Sequence, residues 1–198
     1  MQAVLIAAST GGPRALETLL PDLCARAEVP IVLVQHMPAG FTHSLAEHLS
    51  RQTRRSVIEA SDGEIMRPRT VYVAPGGKHL FLRAGTGGRV LTGLNEQPPE
   101  NGCRPAADVL FRSAAAIPDA AAVAVVLTGM MNDGTRGLGP LKRTGAHAIA
   151  QDEATSVVWG MPGASVEIGA AIQTLPITDV GPTVTSRMSV MIRGAHHP

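Results

Sequence analysis

Short runs of apolar residues alternate along the chain with stretches in which apolar residues recur every three or four positions. The runs predict buried strands at residues 3–8, 31–34, 120–127 and 146–150. After the first run, Pro13 stands where its fixed φ suits the first turn of a helix, and leucines and alanines follow at helical spacing. Repeated strand–loop–helix units predict an α/β fold in which a doubly wound, mostly parallel sheet lies between two layers of helices.

The middle of the chain predicts a second, smaller arrangement. Residues 79–83 and 89–92 have the composition of strands, and the glycine-rich segment between them predicts an appended β-hairpin. No linker or internal repeat is evident, so residues 1–180 are expected to form one domain, followed by a loosely held tail at residues 181–198. Further short strands and helices are predicted at residues 57–60, 70–73, 106–116 and 137–143, and after Pro162.

The composition is rich in aliphatic residues, with 44% hydrophobic residues, one Trp, one Tyr and three Phe. The formal net charge is +1, and no dense basic run occurs, so neither an electrostatic footprint nor a stacking surface for nucleic acid is present. The apolar N-terminus is short and lacks a basic segment, which favours a buried strand over a signal peptide. No apolar run approaches the ~20 residues needed to span a bilayer. These features predict a cytoplasmic, globular protein.

The cysteines and most histidines do not suggest a metal site or another cofactor. Cys24 and Cys103 are too few for a disulfide framework or a cysteine-based metal site. Cys103 has no obvious histidine partner and is interpreted as a loop thiol. His43 and His48 are five residues apart on a predicted helix and therefore do not share one face. The sequence thus predicts a protein that works without metal or organic cofactor.

Three reactive side chains lie in loops that directly follow predicted strands. Ser9 follows the first strand, His36 the second, and Asp133 comes after the strand at residues 120–127. In open parallel sheets, ligands bind beyond the carboxyl ends of the strands, so these loops meet at the functional edge. A serine hydroxyl needs a base to become a nucleophile, and a carboxylate on the other ring nitrogen orients and stabilises that base. The set therefore predicts nucleophilic catalysis.

Each of these residues, taken alone, also has a plain structural interpretation. Ser9 or Thr10 could be the N-cap of the following helix, and His36 could be a hydrogen-bonded loop histidine. Asp133 could be a turn residue or the N-cap of the next helix. The turn around Ser9 lacks the G-x-S-x-G pattern of α/β-hydrolases, and the order Ser, His, Asp along the chain differs from theirs. Their combination at one edge of the sheet favours the catalytic interpretation.

The segments around these three residues resemble the signature segments of the CheB protein-glutamate methylesterase domain. They read Ala-Ala-Ser-Thr-Gly-Gly from residue 7, Gln-His-Met-Pro-Ala-Gly-Phe-Thr from residue 35, and Leu-Thr-Gly-Met-Met-Asn-Asp-Gly from residue 127. Further similar segments begin at Tyr72, Cys103 and Ala150, and the last is followed by Val-Trp-Gly-Met-Pro. Several long motifs in the same order, spread over residues 4–177, make the resemblance specific.

The resemblance implies an α/β enzyme that hydrolyses glutamate γ-methyl esters on bacterial chemoreceptors, and that also deamidates receptor glutamine. It implies Ser9 as nucleophile, His36 as general base and Asp133 as the orienting acid, with an acyl-enzyme intermediate and no metal or cofactor. The expected partners are the methylated cytoplasmic helices of chemoreceptors. A hydrolase of another ester or amide, and a regulatory binding module without turnover, are the alternatives.

The flanking residues provide more specific expectations. Thr10 and Met130 lie beside the nucleophile and the acid in the matching segments, and a backbone N–H from each is expected to form the oxyanion hole. Phe41 and Arg104 belong to segments expected to grip a receptor helix. Two features depart from the family pattern: Met131 replaces a common glycine, and the chain begins at its first catalytic strand, with no phosphorylatable receiver domain before it. Such a receiver domain is therefore expected to be separate or missing.

Overall fold

Strands from the whole length of the chain form one central sheet in a computed structural model that describes residues 1–194. Within these residues the sheet has seven strands in the order β3-β4-β2-β1-β7-β8-β9, and every neighbouring pair is parallel. The first strand of the sequence, β1, is therefore central, with β2 and β7 on its two sides. The strands are β1 (Gln2–Ala8), β2 (Ile31–Gln35), β3 (Ser56–Glu59), β4 (Thr70–Val73), β7 (Ala121–Val126), β8 (His147–Gln151) and β9 (Gln173–Leu175).

The predicted hairpin is also present, formed by the antiparallel pair β5 (His79–Ala84) and β6 (Val90–Asn95). Six α-helices flank the sheet within residues 1–194: α1 (Gly12–Arg26), α2 (Phe41–Thr53), α3 (Ala107–Ala115), α4 (Thr135–Arg143), α5 (Gly160–Glu167) and α6 (Ile177–Gly194). Buried residues of α1, α2 and α6 pack on one face of the sheet, and those of α3, α4, α5 and the hairpin pack on the other. The predicted doubly wound α/β/α fold with an appended hairpin is confirmed.

The two-sided cover explains why the central strands are continuous apolar runs rather than alternating patterns. Residues 3–8 of β1 are completely buried, because both faces of the strand are packed against helices. Among residues 1–194, no helix combines the length and the hydropathy that a bilayer-spanning segment needs.

The prediction of a loose tail from residue 181 is wrong for residues up to 194. Those residues belong to α6, whose Val180, Val184 and Met188 recur every four positions and are 0%, 0% and 4% exposed. Burial of each such side chain contributes roughly 1.5–3 kcal/mol, which outweighs the ~3 kcal/mol cost of Pro182 inside the helix. Residues 195–198 of the predicted tail lie outside the described residues. The short edge strand β9 was not predicted, since its three residues form no apolar run.

Candidate active site

The pairing of the three central strands brings the loops after β1, β2 and β7 to one edge of the sheet. Ala8 is the partner of Gln35 in the β1–β2 register, and the N–H of His36 donates to the carbonyl of Ala8 at 3.0 Å. On the other side, the N–H of Ser9 donates to the carbonyl of Thr128 at 3.0 Å. Ser9 and His36 are therefore neighbours at the same level, one residue beyond the last strand pair. The loops after β1, β2 and β7 therefore meet at one edge of the sheet, as expected from the sequence.

The turn after β1 leaves the Ser9 side chain free of a capping role. The N-cap of α1 is Gly11, whose φ of 80° lies in the left-handed region, and no side chain within residues 1–194 caps this helix end. The N-cap interpretation of Ser9 or Thr10 is therefore wrong. The N–H of Gly12 closes the turn on the Ser9 carbonyl at 2.8 Å. Gly129 approaches from the β7 loop so closely that a Cβ there would lie 2.8 Å from the Cβ of Ser9.

His36 and Asp133 form a direct pair. The Nε2 atom of His36 lies 2.7 Å from Oδ2 of Asp133, across 97 residues of sequence. The Asp133 side chain is fully buried, and that of His36 is 13% exposed. A carboxylate can only accept here, so the hydrogen between the two atoms belongs to Nε2 of the imidazole. This leaves the lone pair on Nδ1, and Nδ1 is the atom able to act as a base.

The Asp133 carboxylate is held at the N-terminus of α3. Its Oδ2 accepts from the N–H of Ala107 at 2.6 Å, and its Oδ1 accepts from the N–H groups of Asp108 at 3.1 Å and Gly134 at 3.0 Å. Burial alone would raise the pKa of Asp133, but the hydrogen bonds from His36 and the α3 backbone outweigh burial and lower it below its ordinary value. The N-cap of α4 is Gly134, so the carboxylate caps α3 and not its own following helix.

Cys103 occupies the other side of the His36 ring. Its Sγ lies 3.6 Å from Nδ1 of His36, and burial together with the charge of Asp133 raises the pKa of the thiol to about 11. Cys103 lies in a loop, as predicted, but the expectation that it has no histidine partner is wrong. The Ser9 hydroxyl makes no hydrogen bond with His36 or with any other residue in the range 1–194. His36 and Asp133 thus form the base–acid pair, and Ser9 lies in the neighbouring loop. The thiol of Cys103 lies next to Nδ1, the nitrogen that can act as the base.

Three polar residues that the sequence analysis missed hold the site together. The buried Gln35 amide donates to the carbonyls of Ser9 at 2.9 Å and His36 at 3.2 Å, which ties the two loops to one another. Asn101 donates to Asp108 at 2.8 Å and, more weakly, to Asp133 at 3.4 Å. Asp108 also accepts from a backbone N–H of α4 at 2.6 Å, and burial raises its pKa. An isolated Gln, Asn or Asp carries no pattern from which these long-range bonds can be predicted.

The residues expected at the oxyanion hole and at the substrate surface lie around the same edge. Thr10 and Met130 follow directly on Ser9 and Gly129, and neither backbone N–H donates a hydrogen bond within residues 1–194. Phe41 is 60% exposed at the start of α2. The Arg104 guanidinium donates to the carbonyls of Glu96 at 2.9 Å and Gln97 at 3.1 Å, so it braces its own loop. The roles assigned to these residues stay predictions.

Met131, the departure from the family pattern, has a φ of 62° and its side chain is 56% exposed. A glycine adopts this left-handed conformation without steric cost, whereas a methionine does not. The backbone of the acid loop therefore has at Met131 a conformation that favours glycine, and the methionine side chain extends outward.

Comparison with known proteins shows the family to which the chain belongs. A family model described as CheB methylesterase matches residues 4–184. Two enzymes named protein-glutamate methylesterase/protein-glutamine glutaminase, from Rhodopseudomonas palustris and Caulobacter vibrioides, are each 46% identical to the chain and cover 92% and 94% of it. The alignments cover 47% and 54% of those relatives, so the chain spans about half of their length.

A solved structure gives the same result for the fold. The crystal structure of the Thermotoga maritima CheB methylesterase catalytic domain is 42% identical in sequence, with a TM-score of 0.88 over 93% of this chain and 97% of that chain. The range matched by the family model, residues 4–184, includes the three strand-end loops. The chain belongs to the CheB methylesterase family.

Proposed function

We propose that this protein hydrolyses the γ-methyl esters of glutamate residues on chemoreceptors, in the cytoplasm, and deamidates receptor glutamine at the same site. The observation that carries the proposal is the 2.7 Å contact between Nε2 of His36 and Oδ2 of Asp133, formed next to Ser9 at the end of the central strand. The two relatives described above are named for both reactions. An orienting carboxylate, a base and an adjacent hydroxyl are the components of acyl transfer by a serine enzyme.

The mechanism depends on the tautomer of His36, which the hydrogen bond to Asp133 fixes with the hydrogen on Nε2. Ser9 Oγ attacks the ester carbonyl while Nδ1 of His36 takes its proton, and Asp133 stabilises the resulting imidazolium through Nε2. The carbonyl oxygen, as it becomes negative, accepts hydrogen bonds from the backbone N–H groups of Thr10 and Met130, each of which typically contributes about 3 kcal/mol of barrier reduction. Methanol leaves with the proton from His36. Water, activated by the same nitrogen, then hydrolyses the acyl-enzyme.

Deamidation uses the same steps with a different leaving group. A receptor glutamine would acylate Ser9 with loss of ammonia, and hydrolysis would give the same glutamate product. Exposed apolar side chains near the site, Phe41 and Met130, would contact the receptor helix that carries the modified residue. Regulation by a receiver domain within a phosphorelay, in the same polypeptide or a separate one, is what the resemblance implies and stays a prediction.

The direct test is methanol release from methylated receptor membranes. Ser9→Ala is expected to reduce release to background without changing the thermal unfolding midpoint, since the hydroxyl makes no hydrogen bond within residues 1–194. Ser56→Ala, at an exposed position at the start of β3, is the matched control and should retain the wild-type rate. Undiminished release by Ser9→Ala would refute the serine mechanism. No release by the wild-type protein, with its fold intact, would favour another ester or a binding module.

A further inference from the structure

Three side chains that can ligate a metal ion converge at the catalytic base. One ligand atom from each of His36, Cys103 and Asp133 lies within 4.8 Å of the other two. This cluster includes a thiol that the proposed hydrolysis does not use. Because the thiol lies on the side of the ring where the proposed base has its lone pair, a ligand bound there would affect catalysis directly.

We propose that the Cys103 thiolate and Nδ1 of His36 form a binding site for a thiophilic divalent cation of the Zn²⁺ type, which occupies the catalytic base and blocks hydrolysis. Zinc bonds of about 2.3 Å to sulfur and 2.0 Å to nitrogen give a tetrahedral sulfur–nitrogen edge of about 3.5 Å. The distance between Sγ and Nδ1 is 3.6 Å. The two atoms are therefore separated by about the distance expected between two ligands of one tetrahedral zinc ion.

The surroundings of the pair favour a cation. Asp133 accepts a hydrogen bond from Nε2 at 2.7 Å, which is the arrangement in which an outer carboxylate fixes the tautomer of a zinc-bound histidine and strengthens it as a ligand. Coordination displaces the thiol proton to solvent, and the charges of the thiolate and the Asp133 carboxylate then balance those of the ion. The negative charge of Asp133, which disfavours a free thiolate, attracts a divalent cation.

The ligands also determine which ions bind and how strongly. Thiolate and imidazole select zinc and similar borderline-soft ions, whereas Mg²⁺ and Ca²⁺ prefer oxygen ligands. Two direct protein ligands leave coordination positions for water, so the ion is an exchangeable inhibitor and not a structural element. His36 is 13% exposed and Cys103 is partly exposed, so an ion from solvent has access to both side chains.

Cobalt binding tests the site independently of any enzymatic activity. Co²⁺ added to the metal-free 198-residue protein is expected to give the sulfur-to-cobalt charge-transfer absorption of a thiolate complex. Cys103→Ser should abolish that absorption, while Cys24→Ala, which removes the other cysteine, should retain it. Thermal unfolding of each variant establishes that it is folded. Absence of the band in the wild-type protein, or its loss in Cys24→Ala but not in Cys103→Ser, would overturn the proposal.

Inhibition tests the functional consequence, and this part rests on the proposed function. Zn²⁺ should inhibit methanol release, and EDTA should restore it. Mg²⁺ at the same concentration should have no effect. Loss of an outer-shell partner alone typically weakens metal binding about 10–100-fold, so loss of the Cys103 ligand should raise the inhibitory Zn²⁺ concentration at least ~100-fold. Inhibition is expressed relative to the metal-free activity of each variant. Equal zinc sensitivity of wild type and Cys103→Ser would refute the inference even if methylesterase activity is confirmed.

Discussion

Replacing Asp133 with alanine is expected to lower the free energy of unfolding by about 4 kcal/mol, although the residue lies in a loop. Within residues 1–194 its carboxylate accepts five hydrogen bonds, three of which come from the backbone N–H groups of Ala107, Asp108 and Gly134. Each buried donor that loses its acceptor costs about 1–3 kcal/mol, and water entering the cavity offsets part of the sum. Asp133→Asn keeps one carbonyl oxygen and so should lose about half as much, ~2 kcal/mol.

The catalytic effect of Asp133→Asn should be much larger than its effect on stability. An asparagine cannot both accept from Nε2 of His36 and keep the backbone donors satisfied, so the tautomer that leaves Nδ1 basic is no longer imposed. In a serine triad, this change typically lowers kcat by about 10⁴-fold. Since Asp133 is fully buried and does not line a surface for the receptor, KM should change little.

Urea unfolding followed by circular dichroism measures the first effect, and methanol release from methylated receptor measures the second. Asp152→Asn is the matched control, because that carboxylate also follows a strand but, among the described residues, accepts hydrogen bonds only from the nearby Thr155. It should lose less than about 1 kcal/mol and retain kcat. A destabilisation of Asp133→Ala below ~1 kcal/mol would contradict the capping of α3 by Asp133. A kcat within about tenfold of wild type for Asp133→Asn would contradict its role in orienting the base.

Three further predictions concern single positions. Met131→Gly should raise the free energy of unfolding by about 1 kcal/mol in urea unfolding, because relief of strain at its φ of 62° exceeds the added entropy of the unfolded chain; a loss of stability would contradict this. Gly129→Ala should reduce kcat about 10²-fold in the methanol assay, since its Cβ would meet the sulfur of Met161 and lie 2.8 Å from the Cβ of Ser9; an unchanged kcat would contradict displacement of the nucleophile. Burial raises the pKa of the Cys24 thiol from 9.0 to about 11. The unfolded chain therefore loses the thiol proton at a lower pH than the folded protein, and the free energy of unfolding falls as the pH rises from 9 towards 11. Between pH 7.5 and 10.5, wild type should lose about 2 kcal/mol more than Cys24→Ala, and parallel pH profiles would refute the burial effect.

The features that the sequence predicted are those set by local patterns. Buried parallel strands are continuous apolar runs, so the positions of β1, β2, β7 and β8 follow from the pattern of apolar residues alone. The convergence of Ser9, His36 and Asp133 then follows from a topological rule about strand ends. The prediction for residues 181–194 is wrong because it gives the proline more weight than the spacing of the apolar residues. Pro182 indicates a tail, whereas the interval of four between Val180, Val184 and Met188 indicates a helix face.

Side-chain partners that come from distant loops could not be predicted in the same way. Whether Asp133 caps its own helix or another one depends on where α3 begins in space, and nothing within a few residues of Asp133 carries that information. The same holds for Cys103, which is 67 residues from His36 and reaches it only because the loop before α3 folds over the edge of the sheet. Long-range contacts of single polar residues lack the repetition that makes strands and helices recognisable.

The hydrogen bond from Nε2 of His36 to Asp133 determines which nitrogen of the ring is available for catalysis and for metal binding. With Nε2 committed to the carboxylate, Nδ1 is the one atom of His36 that can accept a proton or bind a cation, and Cys103 lies on that side of the ring. A protonated thiol is a weak hydrogen-bond donor, so a serine hydroxyl that moves towards Nδ1 displaces it at little cost. The high pKa of Cys103, about 11, keeps the sulfur in this weak form at neutral pH. Catalysis therefore tolerates the thiol until a thiophilic cation removes its proton, at which point the same pair becomes an inhibitory site.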